Sequence, residues 1–76
     1  MKKDELKPLT ERQADAYEFI KYFIKVHGYS PSVREIARGI YVSKPVAQKH
    51  LMSLVEKGYV SYTPRTARSI IIKNIS

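Results

Sequence analysis

The chain has 76 residues and no cysteine, which limits it to one small domain without a disulfide framework. A domain of this size is near the lower end of what buries an adequate core unaided. The two histidines, His27 and His50, lie too far apart to form a metal cluster, and no apolar run is long enough for a signal peptide or a membrane-spanning helix. We therefore expect a cytoplasmic protein, stabilised by apolar packing, that needs no cofactor, no metal and no membrane.

Positive charge is concentrated in the later part of the chain. Residues 1–28 hold six basic and five acidic side chains, whereas residues 29–76 hold eight basic side chains against Glu35 and Glu56. Most of the net charge of +7 therefore follows residue 28. Such a surface attracts phosphate regardless of sequence, which favours a nucleic-acid partner. The simpler alternative is a basic surface that only keeps the protein in solution.

The chain begins with a short arm, predicted at residues 1–9, that precedes a single domain at residues 10–76. Thr10 and Gln13 have the spacing of a capping box, in which each side chain binds the backbone of the other residue. Apolar and aromatic residues then recur at spacings of three and four, which predicts an amphipathic helix at residues 11–27 that ends at Gly28. These positions are Ala16, Tyr17, Ile20, Phe23, Ile24 and His27.

A second, short helix is predicted at residues 33–40. Pro31 breaks the chain before it, since a proline disfavours helical backbone at the preceding residue. Ser32 and Glu35 repeat the capping-box spacing. One narrow apolar stripe follows, so this helix must lean on its neighbours.

A third helix is predicted at residues 44–57, after a turn at Tyr41-Val42. Ser43 is expected to cap it and Gly58 to end it, with Pro45 tolerated in the first turn. Its inward stripe comprises Ala47, Leu51, Leu54 and Val55. The opposite face is small, polar or basic, and comprises Pro45, Val46, Lys49 and Ser53, with Gln48 on the flank.

After Gly58 the pattern changes from helical to extended. Two β-rich runs predict strands at residues 59–63 and 69–73. The connection between them, residues 64–68, is polar and places Arg65 and Arg68 near the tip of a hairpin. The predicted fold is mainly α with a small β-hairpin, and the order of helix, helix-turn-helix and hairpin is that of a winged helix.

Three strings carry a family resemblance: LTERQ (9–13), SPSVREIA (30–37) and HLMSLVEKGYV (50–60). Together they resemble the N-terminal DNA-binding domain of the LexA repressor family, over about residues 9–73. The resemblance implies a winged helix-turn-helix whose third helix enters the major groove of DNA. The family's C-terminal domain, with its serine–lysine self-cleavage machinery and main dimer contacts, has no counterpart in these residues, so no protease activity is expected.

The turn departs from the family pattern in two ways. It is one residue shorter than is usual, and Tyr41 occupies a place where glycine is typical. Left-handed backbone is unfavourable for tyrosine, so the sequence does not predict the geometry of this turn. The residues of the reading face also differ in type from those of the family, so its operator sequence is not transferred.

The resulting hypothesis is a repressor-like transcriptional regulator that binds double-stranded DNA with sequence preference. Gln48 is the best candidate reader, because its amide can bind adenine through two hydrogen bonds, and Lys49 suits guanine or phosphate. The resemblance implies base-facing roles for Ser43, Pro45, Val46, Gln48 and Lys49, a set that overlaps the outer face of the predicted third helix. The predicted contacts to the DNA backbone or minor groove are Ser32, Arg34, Lys44, Ser53, Arg65, Thr66 and Arg68. A homodimer on a repeated half-site is expected.

Other classes of function stay open. A winged helix can instead be a protein-interaction module or an antirepressor-type partner, with Tyr22, Tyr41 and Tyr62 as exposed anchors. An enzyme is not expected, since the sequence has no nucleophile with a base at motif spacing, no glycine-rich phosphate loop and no acidic pair.

Overall fold

The computed structural model describes residues 7–73, which form three helices followed by a two-stranded antiparallel sheet. The elements in chain order are α1 (Glu11–His27), α2 (Val33–Gly39), α3 (Lys44–Glu56), β1 (Val60–Ser61) and β2 (Ile71–Ile72). This order confirms the predicted winged helix-turn-helix. Residues 1–6 of the predicted arm and residues 74–76 lie outside the described part.

Both predicted capping boxes are present. The Thr10 hydroxyl accepts from the amide of Gln13 at 3.2 Å, and the Thr10 amide donates to Gln13 Oε1 at 3.2 Å. Ser32 and Glu35 make the same pair of bonds at 3.2 and 2.8 Å. These local bonds satisfy amides that the first turn of a helix leaves unpaired, so α1 and α2 begin where their sequences predict.

The last turns of α2 and α3 close in the same way, through a residue in left-handed backbone. After α3 this residue is Gly58 (φ 89°), and the amide of Tyr59 donates to the Leu54 carbonyl at 2.9 Å. After α2 it is Tyr41 (φ 62°), and the amide of Val42 donates to the Ala37 carbonyl at 3.0 Å. The turn thus keeps the left-handed geometry that glycine normally supplies, although its residue is tyrosine. The helices end one residue earlier than predicted, at Gly39 and Glu56.

The core lies between the three helices and the start of the wing. The predicted inward stripe of α3 is confirmed, since Ala47, Leu51 and Leu54 are fully buried. Two wing residues, Val60 and Ile70, join the same cluster and fasten the hairpin to the helices. The other members of this cluster are Ala16, Ile20, Ile36, Ala37 and Ile40. Burying one such leucine or isoleucine contributes about 1.5–3 kcal/mol, so the orientation of α3 is strongly fixed.

The segment before α1 is bonded to the end of α3. The ammonium of Lys57 donates to the Pro8 carbonyl at 2.9 Å and to Gln13 Oε1 at 2.6 Å. The hydroxyl of Tyr59 donates to the Lys7 carbonyl at 2.8 Å. Residues 7 and 8, which belong to the predicted arm, are therefore held by side chains of the domain.

The wing has shorter strands than predicted. Val60 pairs with Ile72 and Ser61 with Ile71, so the ladder covers two residues on each side instead of five. Beyond it the side chain of Ser69 replaces the next backbone pair, accepting from the Thr63 amide at 3.0 Å and donating to the Thr63 carbonyl at 2.8 Å. Because the Ser69 side chain binds both the N–H and the C=O of Thr63, these groups cannot pair with the opposite strand and the ladder ends early.

Candidate nucleic-acid interface

The outer face of α3 is exposed in its N-terminal half. Since Ala47 and Leu51 are fully buried, the residues on the opposite side of the helix face solvent. Pro45, Val46 and Lys49 are exposed, and Gln48 is half-buried on the flank, as the helical pattern predicts. Their placement is thus as expected, whereas their contacts with bases stay a prediction.

The start of α3 differs from the expectation in one respect. Ser43 occupies the position before the helix with extended backbone, but within residues 7–73 its side chain makes no capping hydrogen bond. A serine at this position can bind the amide of the second or the third helical residue. The second is Pro45, which has no N–H, and the Ser43 hydroxyl does not bind the amide of the third, Val46. The Ser43 hydroxyl is therefore left for another partner.

The electrostatics of this helix start favour an anion. The first turns of α1 and α2 contain Glu11 and Glu35, whereas the first turn of α3 contains no acidic residue and begins with Lys44. A helix N-terminus carries partial positive charge on its unpaired amides. The N-terminus of α3 thus combines partial positive charge with a lysine and no acidic side chain.

A shallow groove connects α3 to α2 and to the wing. Its lining includes four of the predicted contacts, so the fold brings together parts of the chain that are distant in sequence. The lining residues are Ser32, Val33, Arg34, Lys44, Gln48 and Tyr62. Arg34 and Lys44 are exposed, which gives the groove two cationic walls.

Tyr62 packs against the core and also lines this groove, although the sequence analysis did not place it among the predicted DNA contacts. Strand alternation carries the missing signal. Val60 is fully buried, and in extended chain the side chain two residues later, that of Tyr62, is expected on the same side. The half-buried Tyr62 also reduces the set of exposed aromatic anchors considered above to Tyr22 and Tyr41.

The tip of the wing is exposed. The amide of Thr66 donates to the Thr63 carbonyl at 3.2 Å, which closes a tight turn around Pro64 and Arg65. Arg65 has a φ of 66°, and a proline followed by a residue of positive φ is the pattern of a type II turn. Across residues 7–73 the Arg65 guanidinium makes no hydrogen bond or ion pair, so it projects its charge into solvent.

Arg68, the other predicted wing contact, is bound within the protein. Its guanidinium donates to Glu35 Oε1 at 2.9 Å, to Glu35 Oε2 at 3.3 Å and to the Ser30 carbonyl at 3.0 Å. It also lies over the ring of Tyr29, 4.6 Å from the centroid. A direct contact between Arg68 and DNA would compete with these bonds.

The paired charges alter the acid–base behaviour of Glu35. The hydrogen bond from Arg68, followed by that from the Ser32 amide, lowers the pKa of the Glu35 carboxyl below its ordinary value of 4.5. Partial burial opposes this shift without reversing it. Glu35 therefore stays ionised at neutral pH, and its negative charge is balanced by Arg68.

Ser53 lies apart from the other predicted contacts. It is half-buried in the third turn of α3, and a rise of 1.5 Å per residue places it roughly 13 Å along the helix from Lys44. His50 is half-buried on the helix flank.

Residues 7–73 include no helix with the length and apolar character of a membrane-spanning segment. They also contain no group of three or more histidine, aspartate or glutamate side chains that could hold a metal ion.

Most of the chain is similar in sequence to known proteins. Residues 6–69 match the family described as the LexA DNA binding domain. The chain is 42% identical over 65 residues to the LexA repressor of Thermosipho melanesiensis and 40% identical over 68 residues to that of Staphylococcus haemolyticus. These alignments cover 86% and 88% of this chain but only 33% of each relative, so the chain spans about a third of the length of the repressors that it matches. The chain belongs to the LexA DNA-binding domain family.

Proposed function

We propose that this domain binds double-stranded DNA with sequence preference and serves as the DNA-binding part of a transcriptional repressor. One observation carries the proposal: the exposed N-terminal half of α3 is free of acidic side chains and adjoins a groove lined by Arg34 and Lys44. Family membership supports the same function, since the relatives are named as repressors.

The base contacts are assigned to the outer face of α3. The Gln48 amide suits adenine through two hydrogen bonds, and Lys49 suits the acceptors of guanine. Pro45 and Val46 are exposed apolar groups that suit the methyl group of thymine. The Ser43 hydroxyl, which makes no capping hydrogen bond, completes this set at the start of α3.

The backbone contacts are assigned to both sides of α3. Ser32, Arg34 and Lys44 line the groove and suit one DNA strand. Arg65 and Thr66 at the wing tip suit phosphates or the adjacent minor groove. Ser53, farther along α3, suits a phosphate flanking the site. Contacts of this kind set position and affinity, whereas sequence is read in the major groove.

Two copies on a repeated half-site are part of the proposal. A single module of this size buries only a small DNA interface, and helix-turn-helix proteins commonly gain affinity from symmetric half-sites one helical turn apart. DNA binding would also place the protein where the DNA is, in line with the cytoplasmic location expected from its composition.

The test is a selection of bound duplexes from a random library, followed by binding measurements at several salt concentrations. We expect an enriched motif, a defined half-site spacing and an affinity that falls steeply with salt. Equal binding of every duplex would contradict the assignment of α3 as the reading element. Lys25→Ala is a suitable control variant, because Lys25 is exposed on α1 opposite its buried face.

A second candidate function rests on Tyr41, which is 92% exposed in the turn between α2 and α3. An exposed aromatic side chain is typical of protein-interaction hot spots. Weak, salt-insensitive retention on DNA and heparin would favour this protein-interaction module over DNA binding.

A further inference from the structure

We propose that Arg68 supports DNA binding as a positioning residue: paired with Glu35, it holds the wing against the start of α2 and thereby places Arg65 and Thr66. This inference rests on the proposed DNA-binding function. It differs from the direct DNA contact that the sequence suggests for Arg68, and it adds Glu35, an acidic residue, to the residues on which binding depends.

The geometry of the pair is that of a fixed connection. Two nitrogens of the planar guanidinium meet the two oxygens of one carboxylate, at 2.9 and 3.3 Å, and the Ser30 carbonyl accepts a further bond at 3.0 Å. Bidentate bonds of this kind restrict orientation as well as distance. The ring of Tyr29 covers one face of the guanidinium, 4.6 Å away, which leaves Arg68 few alternative positions.

The wing has few other polar connections to the helices. In the described part of the chain, every hydrogen bond between residues 62–69 and the helical part comes from the Arg68 guanidinium. A ladder of only two residue pairs restrains the connecting loop of the wing weakly. A cleft lined by Pro31, Val33, Tyr62 and Ala67 also separates the loop from α2. Without Arg68 the tip would therefore move relative to α3.

Glu35 connects the wing to the start of α2. Its Oε1 accepts from the Ser32 amide at 2.8 Å and from Arg68 at 2.9 Å. The same carboxylate thus caps α2, where Ser32 and Arg34 are proposed to meet phosphate, and holds the wing. Glu35 therefore sets the distance between the DNA-backbone contacts proposed at the start of α2 and those proposed at the wing tip.

The direct-contact alternative predicts the opposite effect of one substitution. If Arg68 bound phosphate, it would have to leave Glu35, and the freed carboxylate would repel the DNA. Glu35→Gln would then release Arg68, remove a negative charge and tighten binding. If Arg68 is a positioning residue, the same substitution loosens the wing and weakens binding.

Glu35→Gln is a mild change at this position. Gln13 fills the equivalent place in the capping box of α1, where its Oε1 accepts from the Thr10 amide. A glutamine at position 35 can therefore cap α2, so the substitution removes the ion pair and keeps the helix start.

The experiment compares the affinities of the full chain and its variants for a duplex selected with the wild type. We expect Glu35→Gln and Arg68→Gln each to weaken binding about three- to tenfold, and the double variant to bind no worse than Arg68→Gln alone. Arg65→Ala should have little further effect in the Arg68→Gln background, because the misplaced tip has already lost its contact. Lys25→Gln should bind as the wild type does.

A measurement without DNA distinguishes positioning from a general loss of folding. Amide order parameters from nuclear magnetic resonance should fall at residues 65–67 in both variants and stay unchanged in α1 and α3. Tighter binding by Glu35→Gln, additive losses in the double variant, or an unchanged wing tip would each overturn the inference while leaving the proposed function intact. A wild type that binds no duplex would overturn both.

Discussion

Gly39 of α2 lies so close to the ring of Phe19 in α1 that no side chain fits between them. A Cβ at position 39 would fall 2.5 Å from Phe19 Cζ. Helix propensity favours alanine over glycine by about 0.8–1 kcal/mol, whereas overpacking costs typically about 1–3 kcal/mol. Because Gly39 is the last helical residue, the propensity gain is at the lower end. We therefore expect Gly39→Ala to lower the free energy of unfolding by about 1 kcal/mol in urea denaturation.

The control is the same substitution in a Phe19→Ala background, where the ring is absent. There Gly39→Ala should be neutral or stabilising by about 0.5 kcal/mol, because only helix propensity acts. A loss of equal size in both backgrounds would show that the α1–α2 contact is not the cause.

Tyr41 provides a second test of backbone conformation. Left-handed backbone costs a non-glycine residue roughly 1–2 kcal/mol, and the φ of 62° at Tyr41 lies in this region. Since its side chain is 92% exposed, the fold gains little from the ring. Tyr41→Gly should therefore raise the free energy of unfolding by about 1 kcal/mol, which corresponds to an increase in Tm of about 4–8 °C.

Tyr41→Ala separates the backbone effect from the loss of the ring. Alanine keeps the unfavourable φ and removes the aromatic group, so its stability should match that of the wild type or fall slightly. Equal stabilisation by alanine and glycine would assign the effect to the side chain instead of the backbone.

Much of the fold follows from local chemistry, and this explains which features the sequence predicts well. The spacing of Thr10 to Gln13 and of Ser32 to Glu35 places the starts of α1 and α2 correctly, because a capping box needs only four consecutive residues. The buried faces of the helices also follow from periodicity, except that His27, in the predicted stripe of α1, is exposed. The predicted Ser43 cap is the exception, because Ser43 makes no capping hydrogen bond and Pro45 removes only one of the two amides that it could bind.

The features that the sequence does not predict are contacts between distant residues. Arg68 is predicted as a DNA contact because a basic hairpin tip suggests phosphate, whereas its pairing with Glu35, 33 residues away, leaves no local signal. The strands were predicted too long because β-propensity does not reveal that Ser69 takes both backbone groups of Thr63. Such pairings depend on how the wing folds back, which no local pattern encodes.

Gln48 is the residue whose substitution should change specificity most. We expect Gln48→Ala to reduce discrimination by about 1–3 kcal/mol at a single base pair and to leave discrimination at other positions intact. The measurement compares the selected duplex with a set of duplexes that each carry one substituted pair. A uniform loss across all duplexes would assign Gln48 to the backbone instead of a base.

Arg65 should contribute affinity without specificity. Its guanidinium is exposed at the wing tip, so Arg65→Ala should weaken binding to all duplexes alike and reduce the slope of log K against log[salt] by about 1. Binding isotherms between low and moderate salt measure this slope. Lys25→Ala removes an equal charge from α1 and should leave the slope unchanged. Equal effects of the two variants would mean that Arg65 acts only through the overall positive charge of the domain and not through a contact with DNA.

Stability should depend on pH through Glu35. Because the pKa of its carboxyl is lowered by folding, the stabilisation by Glu35 is fully present above the ordinary value of 4.5 and is lost as pH falls through the lower folded value. Glu35→Gln lacks this ionisation. The difference in free energy of unfolding between wild type and variant should therefore be largest at neutral pH and shrink below pH 4.5, as urea denaturation at several pH values would measure. A constant difference down to pH 2 would mean that the charge of Glu35, and hence its pair with Arg68, does not contribute to stability.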